Sequence, residues 1–173
     1  MQREDSVPRW QGALNDRDAH NFERHFATRY QLETNAFGGE ETRKLPANVS
    51  LVKVSSETLN SDRIAQKIQH FCPNFGFIFG SDLIRTPVLE VLPFDTINLH
   101  LGLSPWYRGS ATLFWPFIVL EPQFAGVTFH RIVEEPDAGD VVLQACPTLK
   151  LGDGIHDVGV RSVVLAAHSA VEL

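Results

Sequence analysis

The run FGFIF at residues 75–79 is apolar or glycine at every position. A strand with one wet face alternates apolar and polar residues, whereas a strand covered on both faces reads as a continuous apolar run. The stretch therefore predicts a strand layered on both sides, the arrangement of α/β folds. Residues 49–54 (VSLVKV), 95–99 (DTINL), 126–133 (GVTFHRIV) and 140–145 (DVVLQA) read as further strands, with a turn between the last two. Stretches of helical period lie among them. Phe22, Phe26 and Tyr30 recur every four positions within 17–36, with Asp16 or Asp18 as cap and glycines at 38 and 39 as stop. Ser61 would cap a second helix over 62–71, whose Ile64, Ile68 and Phe71 form one stripe ended by Pro73. Helices are also expected around 86–92, over 111–120 with a kink at Pro116, and over 156–172. This alternation implies an α/β fold with a Rossmann-like, mostly parallel sheet flanked by helices. The chain opens on a helix instead of the strand and glycine turn that start a doubly wound sheet. The expectation is one domain over 1–173 lacking its first strand–helix unit, with an open sheet edge that favours a homodimer.

Composition narrows the class of protein. The charged residues, 21% of the chain, and the hydrophobic ones, 43%, are ordinary for a globular protein with a core. A net charge of −6 speaks against a nucleic-acid partner, and no apolar run approaches the roughly 18 residues of a membrane span. The polar start MQREDSVPRWQG is unlike a secretory signal, and Cys72 and Cys146 lie too far apart for a metal or redox motif. A cytoplasmic location with two free thiols is the expectation, with the acceptor sequence Asn48-Val49-Ser50 a chance match.

The chemistry concentrates in NLHLGLSPWYRG, residues 98–109. Asn98 and His100 stand two positions apart at the end of a strand, so their side chains share a face. Ligands of open α/β sheets bind beyond the carboxyl ends of strands. An amide donates a hydrogen bond without titrating, while an imidazole exchanges a proton near neutrality. Together they suit an oxygen that gains negative charge. Such a pair needs a carboxylate. Asp137, in the turn of EEPDAGDVV (134–142), is the candidate, with Asp140 a turn cap and Glu134 and Glu135 rim charges. Of the remaining histidines, His130 is the nearest rival, because its strand could also face the cleft. His20, His25, His70, His156 and His168 read as core or surface residues.

Asn-x-His, the loop ending in Pro105-Trp106-Tyr107-Arg108-Gly109, and the later Pro136-Asp137-Ala138-Gly139 resemble the signature of the folate-dependent formyltransferases. The resemblance covers about residues 63–172. It implies a catalytic domain that moves a formyl group from 10-formyltetrahydrofolate, a cosubstrate, to an amine, with no metal. By position it makes Asn98, His100 and Asp137 the catalytic residues. It sets Asp82, Leu83 and Ile84 against the pterin ring through backbone groups, and Ile132, Val133 and Glu134 in a loop that closes over it. Core packing is the competing reading for Leu83 and Ile84. Arg108 would hold the loop, meet an anion or simply be solvated. Where many members read Pro-Ser-Leu-Leu-Pro, this chain reads Leu101-Gly102-Leu103-Ser104-Pro105, so the acceptor does not carry over. A small amine such as an amino sugar or amino acid derivative is the expected partner. Hydrolysis of the formyl folate and a non-catalytic folate-binding module are the competing functions.

Overall fold

The structure, a computed structural model, describes residue 12, residues 15–39 and residues 45–173. The polar start read from residues 1–11 lies outside the described residues. The chain divides into two compact units, residues 2–51 and residues 52–173.

In the first unit, helix α1 spans Asp16–Phe37. Its cap is Asn15 and neither aspartate: the Asn15 side chain accepts from the Asp18 backbone N–H at 2.9 Å. Gly38 ends the helix at φ +76°, where a glycine meets no Cβ penalty. Of the expected aromatic stripe, Phe22 and Phe26 meet, their rings 4.7 Å apart, while Tyr30 is exposed.

The second unit carries the sheet. In chain order it holds α2 (Asp62–Phe71), β1 (Gly76–Phe79), α3 (Val88–Val91), β2 (Thr96–His100), α4 (Trp115–Ile118), a 3-10 turn (Pro122–Phe124), β3 (Val127–Arg131), β4 (Val141–Ala145) and α5 (Ile155–Ala170). The strands lie side by side in the order β1-β2-β3-β4. The α/β class is as expected, but the sheet is mixed: β1 and β2 run parallel, while β2–β3 and β3–β4 are antiparallel. The physical reason lies in the connections. A parallel return needs a crossover of a dozen or more residues, usually a helix. Only the turn of residues 132–140 joins β3 to β4, too short for a crossover, and the longer connection from β2 to β3, residues 101–126, forms only the four-residue helix α4 and a 3-10 turn. Pro116 sits in its first turn and so opens the helix instead of kinking a longer one.

One further expectation fails and another holds in part. Residues 49–54 pair with no strand among the described residues, and Val49, Leu51 and Val52 are exposed. Ser61 stands at the N-cap position of α2 as expected, but its hydroxyl makes no capping bond and donates instead to the Thr58 carbonyl at 2.7 Å.

β1 also departs from the reading of FGFIF as covered on both faces. It is an edge strand, and Phe75, Phe77 and Phe79 are each more than 40% exposed, at 47%, 44% and 48%. The strands with clean alternation are better buried. Ile97 and Leu99 of β2 and Val127 and Phe129 of β3 form one core against Ala166 of α5. Val127 and Phe129 expose nothing. A second core joins Ile64, Ala65 and Val88, through which α2 packs on α3. Burying such side chains stabilises by about 1.5–3 kcal/mol each. The even-numbered residues of β2 and β3 consequently face away from α5, and these include Asn98, His100 and His130.

Candidate active site

Antiparallel pairing sets Asn98 directly opposite His130 and His100 opposite Thr128. Directly opposed residues share a sheet face, so the pairing adds a second imidazole beside the Asn-x-His pair. Asp137 completes the group from the β3–β4 turn. It sits at φ +52°, a left-handed conformation that few residues other than glycine, asparagine and aspartate adopt. Gly139 makes that turn possible, since a Cβ there would lie 1.8 Å from the Arg131 carbonyl oxygen.

The Asp137 carboxylate is the hub. Its Oδ2 accepts from the Gly109 backbone N–H at 2.8 Å and lies 3.4 Å from Nδ1 of His100. Its Oδ1 lies 3.3 Å from Nε2 of His130, with the Asn98 amide nitrogen at 3.5 Å. All are largely buried: the side chains of His100, His130 and Asp137 expose 6%, 3% and 13%. The Nε2 of His100 donates to the Tyr107 carbonyl at 2.7 Å, so both of its nitrogens face oxygens. The loop that the sequence marked between Leu101 and Gly109 is thus tied to the site at its far end, through Tyr107 and Gly109.

Burial opposes charge on His130, but its hydrogen bonds to Asp137 and the Arg131 carbonyl, together with the Asp137 charge, outweigh burial and the opposing Arg108 charge. Its pKa stands above the ordinary histidine value. Burial likewise works against the Asp137 carboxylate. Hydrogen bonds from His130 and the Gly109 N–H, with the charges of His100 and His130, nonetheless hold its pKa below the ordinary value. Low-dielectric surroundings strengthen these contacts as they raise the cost of leaving one out.

A cleft of about 530 Å³, within the range of small-molecule sites, opens over this group. The residues given catalytic or folate-binding roles from the sequence all line it: Asn98, His100 and Asp137, the segment Asp82-Leu83-Ile84, and the segment Ile132-Val133-Glu134. Of Leu83 and Ile84, core packing is seen for Ile84. Leu83 is 47% exposed to the cleft, whereas Ile84 also packs on the Ile64–Val88 core. Asn60 escaped the sequence reading. Its amide donates to the Leu83 carbonyl at 2.9 Å and its carbonyl accepts from the Arg85 N–H at 2.7 Å, which fixes the backbone of the 82–84 segment. Nothing near Asn60 in the chain signals a partner so far away. His130 did carry a signal: Val127, Thr128, Phe129 and His130 alternate apolar and polar, so the histidine had to face away from the core. Among the described residues no group of His, Cys, Asp and Glu is arranged to hold a metal ion.

The mixed α/β sheet thus carries an amide–imidazole–carboxylate cluster beneath a cleft, side chains able to donate to an oxygen and to exchange protons. The comparisons agree in class. The sequence profile of the formyl transferase family matches residues 26–169. The chain belongs to that family. Among solved structures, it is similar to glycinamide ribonucleotide transformylase 1 from Symbiobacterium toebii, at 24% identity and a TM-score of 0.57, over 66% of this chain and 57% of that one. Phosphoribosylglycinamide formyltransferase from Streptococcus pneumoniae TIGR4 shares the fold at 18% identity and a TM-score of 0.56, over 64% and 61% of the two chains. A third is the formyltransferase PseJ from Anoxybacillus kamchatkensis, solved with UDP-4,6-dideoxy-4-formamido-L-AltNAc and tetrahydrofolate. It is 22% identical, with a TM-score of 0.51, over 82% of this chain and 68% of that one. The chain spans little more than half of the Symbiobacterium structure it matches.

Proposed function

We propose that this chain transfers a formyl group from 10-formyltetrahydrofolate to the amine of a small molecule. The observation that carries this reading is the meeting of Asn98, His100 and Asp137, from a strand end and a distant turn, under one cleft in a member of the formyl transferase family. The residues fit a folate in kind. Leu83, Ile132 and Val133 offer apolar wall, and the backbone of 82–84, held by Asn60, offers fixed donors and acceptors.

The acceptor amine attacks the formyl carbon, and the carbonyl oxygen takes up the negative charge. Asn98 donates to that oxygen. His100 supplies a second donor through Nε2–H, which the oxygen takes over from the Tyr107 carbonyl. Each well-placed donor contributes about 3 kcal/mol to such a step. Asp137 orients His100 and accepts the proton lost by the attacking nitrogen, directly or through water. The bond to the folate nitrogen then breaks, and that nitrogen leaves with a proton. The acceptor is an amino sugar or amino acid derivative. The PseJ complex, which holds a formamido sugar nucleotide beside tetrahydrofolate, makes the amino sugar the first class to screen.

The test is to incubate the full chain with 10-formyltetrahydrofolate and a panel of amines, following deformylation of the folate. Asn98→Ala, His100→Ala and Asp137→Ala should keep the fold, read by circular dichroism, and lose transfer by about 100-fold or more. Full activity in His100→Ala would overturn the assignment. Formate release that needs no amine would assign hydrolysis instead.

A further inference from the structure

We infer that His130 is a positioning residue that sets which end of the Asn98 carboxamide faces the cleft. The inference rests on the transfer reading above, since that reading requires the N–H end of Asn98 to meet the substrate oxygen. The hydrogen bonds of the His130 ring carry it. Its Nδ1 lies 2.9 Å from the Arg131 carbonyl oxygen, which can only accept, so Nδ1 carries a proton. The state of Nε2 is then the single variable. This atom lies 3.1 Å from the Asn98 amide nitrogen and 3.3 Å from Asp137 Oδ1.

With Nε2 bare, the ring accepts from the Asn98 amide nitrogen. The Asn98 oxygen then points into the cleft, where it would repel a developing oxyanion. With Nε2 protonated, the ring can no longer accept from the amide nitrogen at 3.1 Å, and its one N–H lies between Asp137 Oδ1 and the Asn98 carboxamide. The planar amide turns over and gives up its 3.5 Å contact to Asp137 Oδ1, its oxygen shares the Nε2–H with that carboxylate, and its own N–H groups are released toward the substrate. A protonated His130 therefore prepares Asn98 for catalysis without touching the reacting atoms.

The groups that face this ring are few. Asp137 comes from the turn and favours the proton, as does the Arg131 carbonyl within β3. Arg108 comes from the loop and opposes it. The His100 ring on β2 stands 6.5 Å away, centroid to centroid. Glu134 lines the same cleft from the far side of the turn. The balance holds a proton on this ring more firmly than on a free histidine.

Nitrogen-15 NMR on the labelled full chain, with no folate added, tests the inference apart from catalysis. The Asn98 side-chain amide signals should move with the same midpoint as the His130 ring nitrogens. That midpoint should fall in Asp137→Asn, and the Asn98 signals should cease to titrate in His130→Phe. Asn98 signals that stay flat while His130 titrates would overturn it. In transfer assays, His130→Phe should lose kcat by about 100-fold with KM for the folate within about two-fold, the mark of a lost transition-state donor. His130→Gln, whose amide can still donate to Asn98, should recover part of the rate and lose the pH dependence. A fall in folate affinity and thermal stability with unchanged kcat would mark a structural role and refute the inference. Should the wild-type chain transfer no formyl group at all, the reaction assignment fails and the NMR result still decides the role of His130.

Discussion

Gly102 shows how little room the site leaves at the scale of one residue. A Cβ there would sit 2.7 Å from Cβ of Thr112, 2.9 Å from Nε2 of His100 and 2.9 Å from the Tyr107 carbonyl oxygen. The last two are the partners of the hydrogen bond that aims His100. Gly102→Ala should therefore force them apart and cost about 1–3 kcal/mol in urea denaturation, with transfer activity reduced as well. Gly159→Ala in α5 is the control, since nothing lies within reach of its Cβ and alanine favours a helix. Asn98, His100 and Asp137 were legible in the sequence because their order and flanking glycines make a recognisable pattern. His130 and Asn60 were not, or only in part. Their roles come from pairing across β2–β3 and from a contact between segments distant in the chain.

At the scale of elements, β3 does more than carry His130. Its Thr128 is fully buried, donates to the Gly102 carbonyl at 2.7 Å, and accepts from the Ser104 N–H at 3.1 Å. Gln144 of β4 reaches the same hydroxyl at 3.0 Å and the Ser104 carbonyl at 2.7 Å. This network moors the start of the active-site loop to two strands. Thr128→Val keeps the shape and removes the hydroxyl, leaving the Ser104 N–H and Gly102 carbonyl unpaired in a buried place. The expected loss is about 1–3 kcal/mol, read from the urea midpoint, with faster hydrogen exchange at Ser104 as the local sign. The strand positions followed from apolar runs and alternation. Their depth did not: FGFIF looked like the centre of a sheet and became its half-exposed edge, because burial depends on which neighbours arrive.

For the whole molecule, the His130–Asp137 pair makes folding stability depend on pH. The raised pKa of His130 adds stability that is complete below the reference value of 6.5 and fades as pH rises through the folded value. The lowered pKa of Asp137 adds stability that is complete above the reference value of 3.8 and fades as pH falls through the folded value. The contribution should be fullest between those limits. Urea unfolding of wild type and Asp137→Asn across pH should show the largest gap there and a smaller one on either side. A gap that does not change with pH would refute the linkage. The same scale decides strand direction, where the sequence reading went astray. Alternation of strands and helices implies a mostly parallel sheet, yet β3 pairs antiparallel with both of its neighbours, and only its short return to β4 rules out a crossover.

By itself the sequence determined the α/β class, the helix and strand positions through most of residues 62–170, the family, and the residues around one cleft. Hydrophobic period and short motifs are local properties, and they survive in a linear chain. Tertiary structure alone decided the mixed strand order, the exposed edge, the pairing of His130 with Asn98, and the anchoring of the 82–84 segment by Asn60. Those depend on hydrogen bonds and burial between segments far apart in the chain, and the electrostatic coupling of His130 to Asp137 exists only once folding has brought them together.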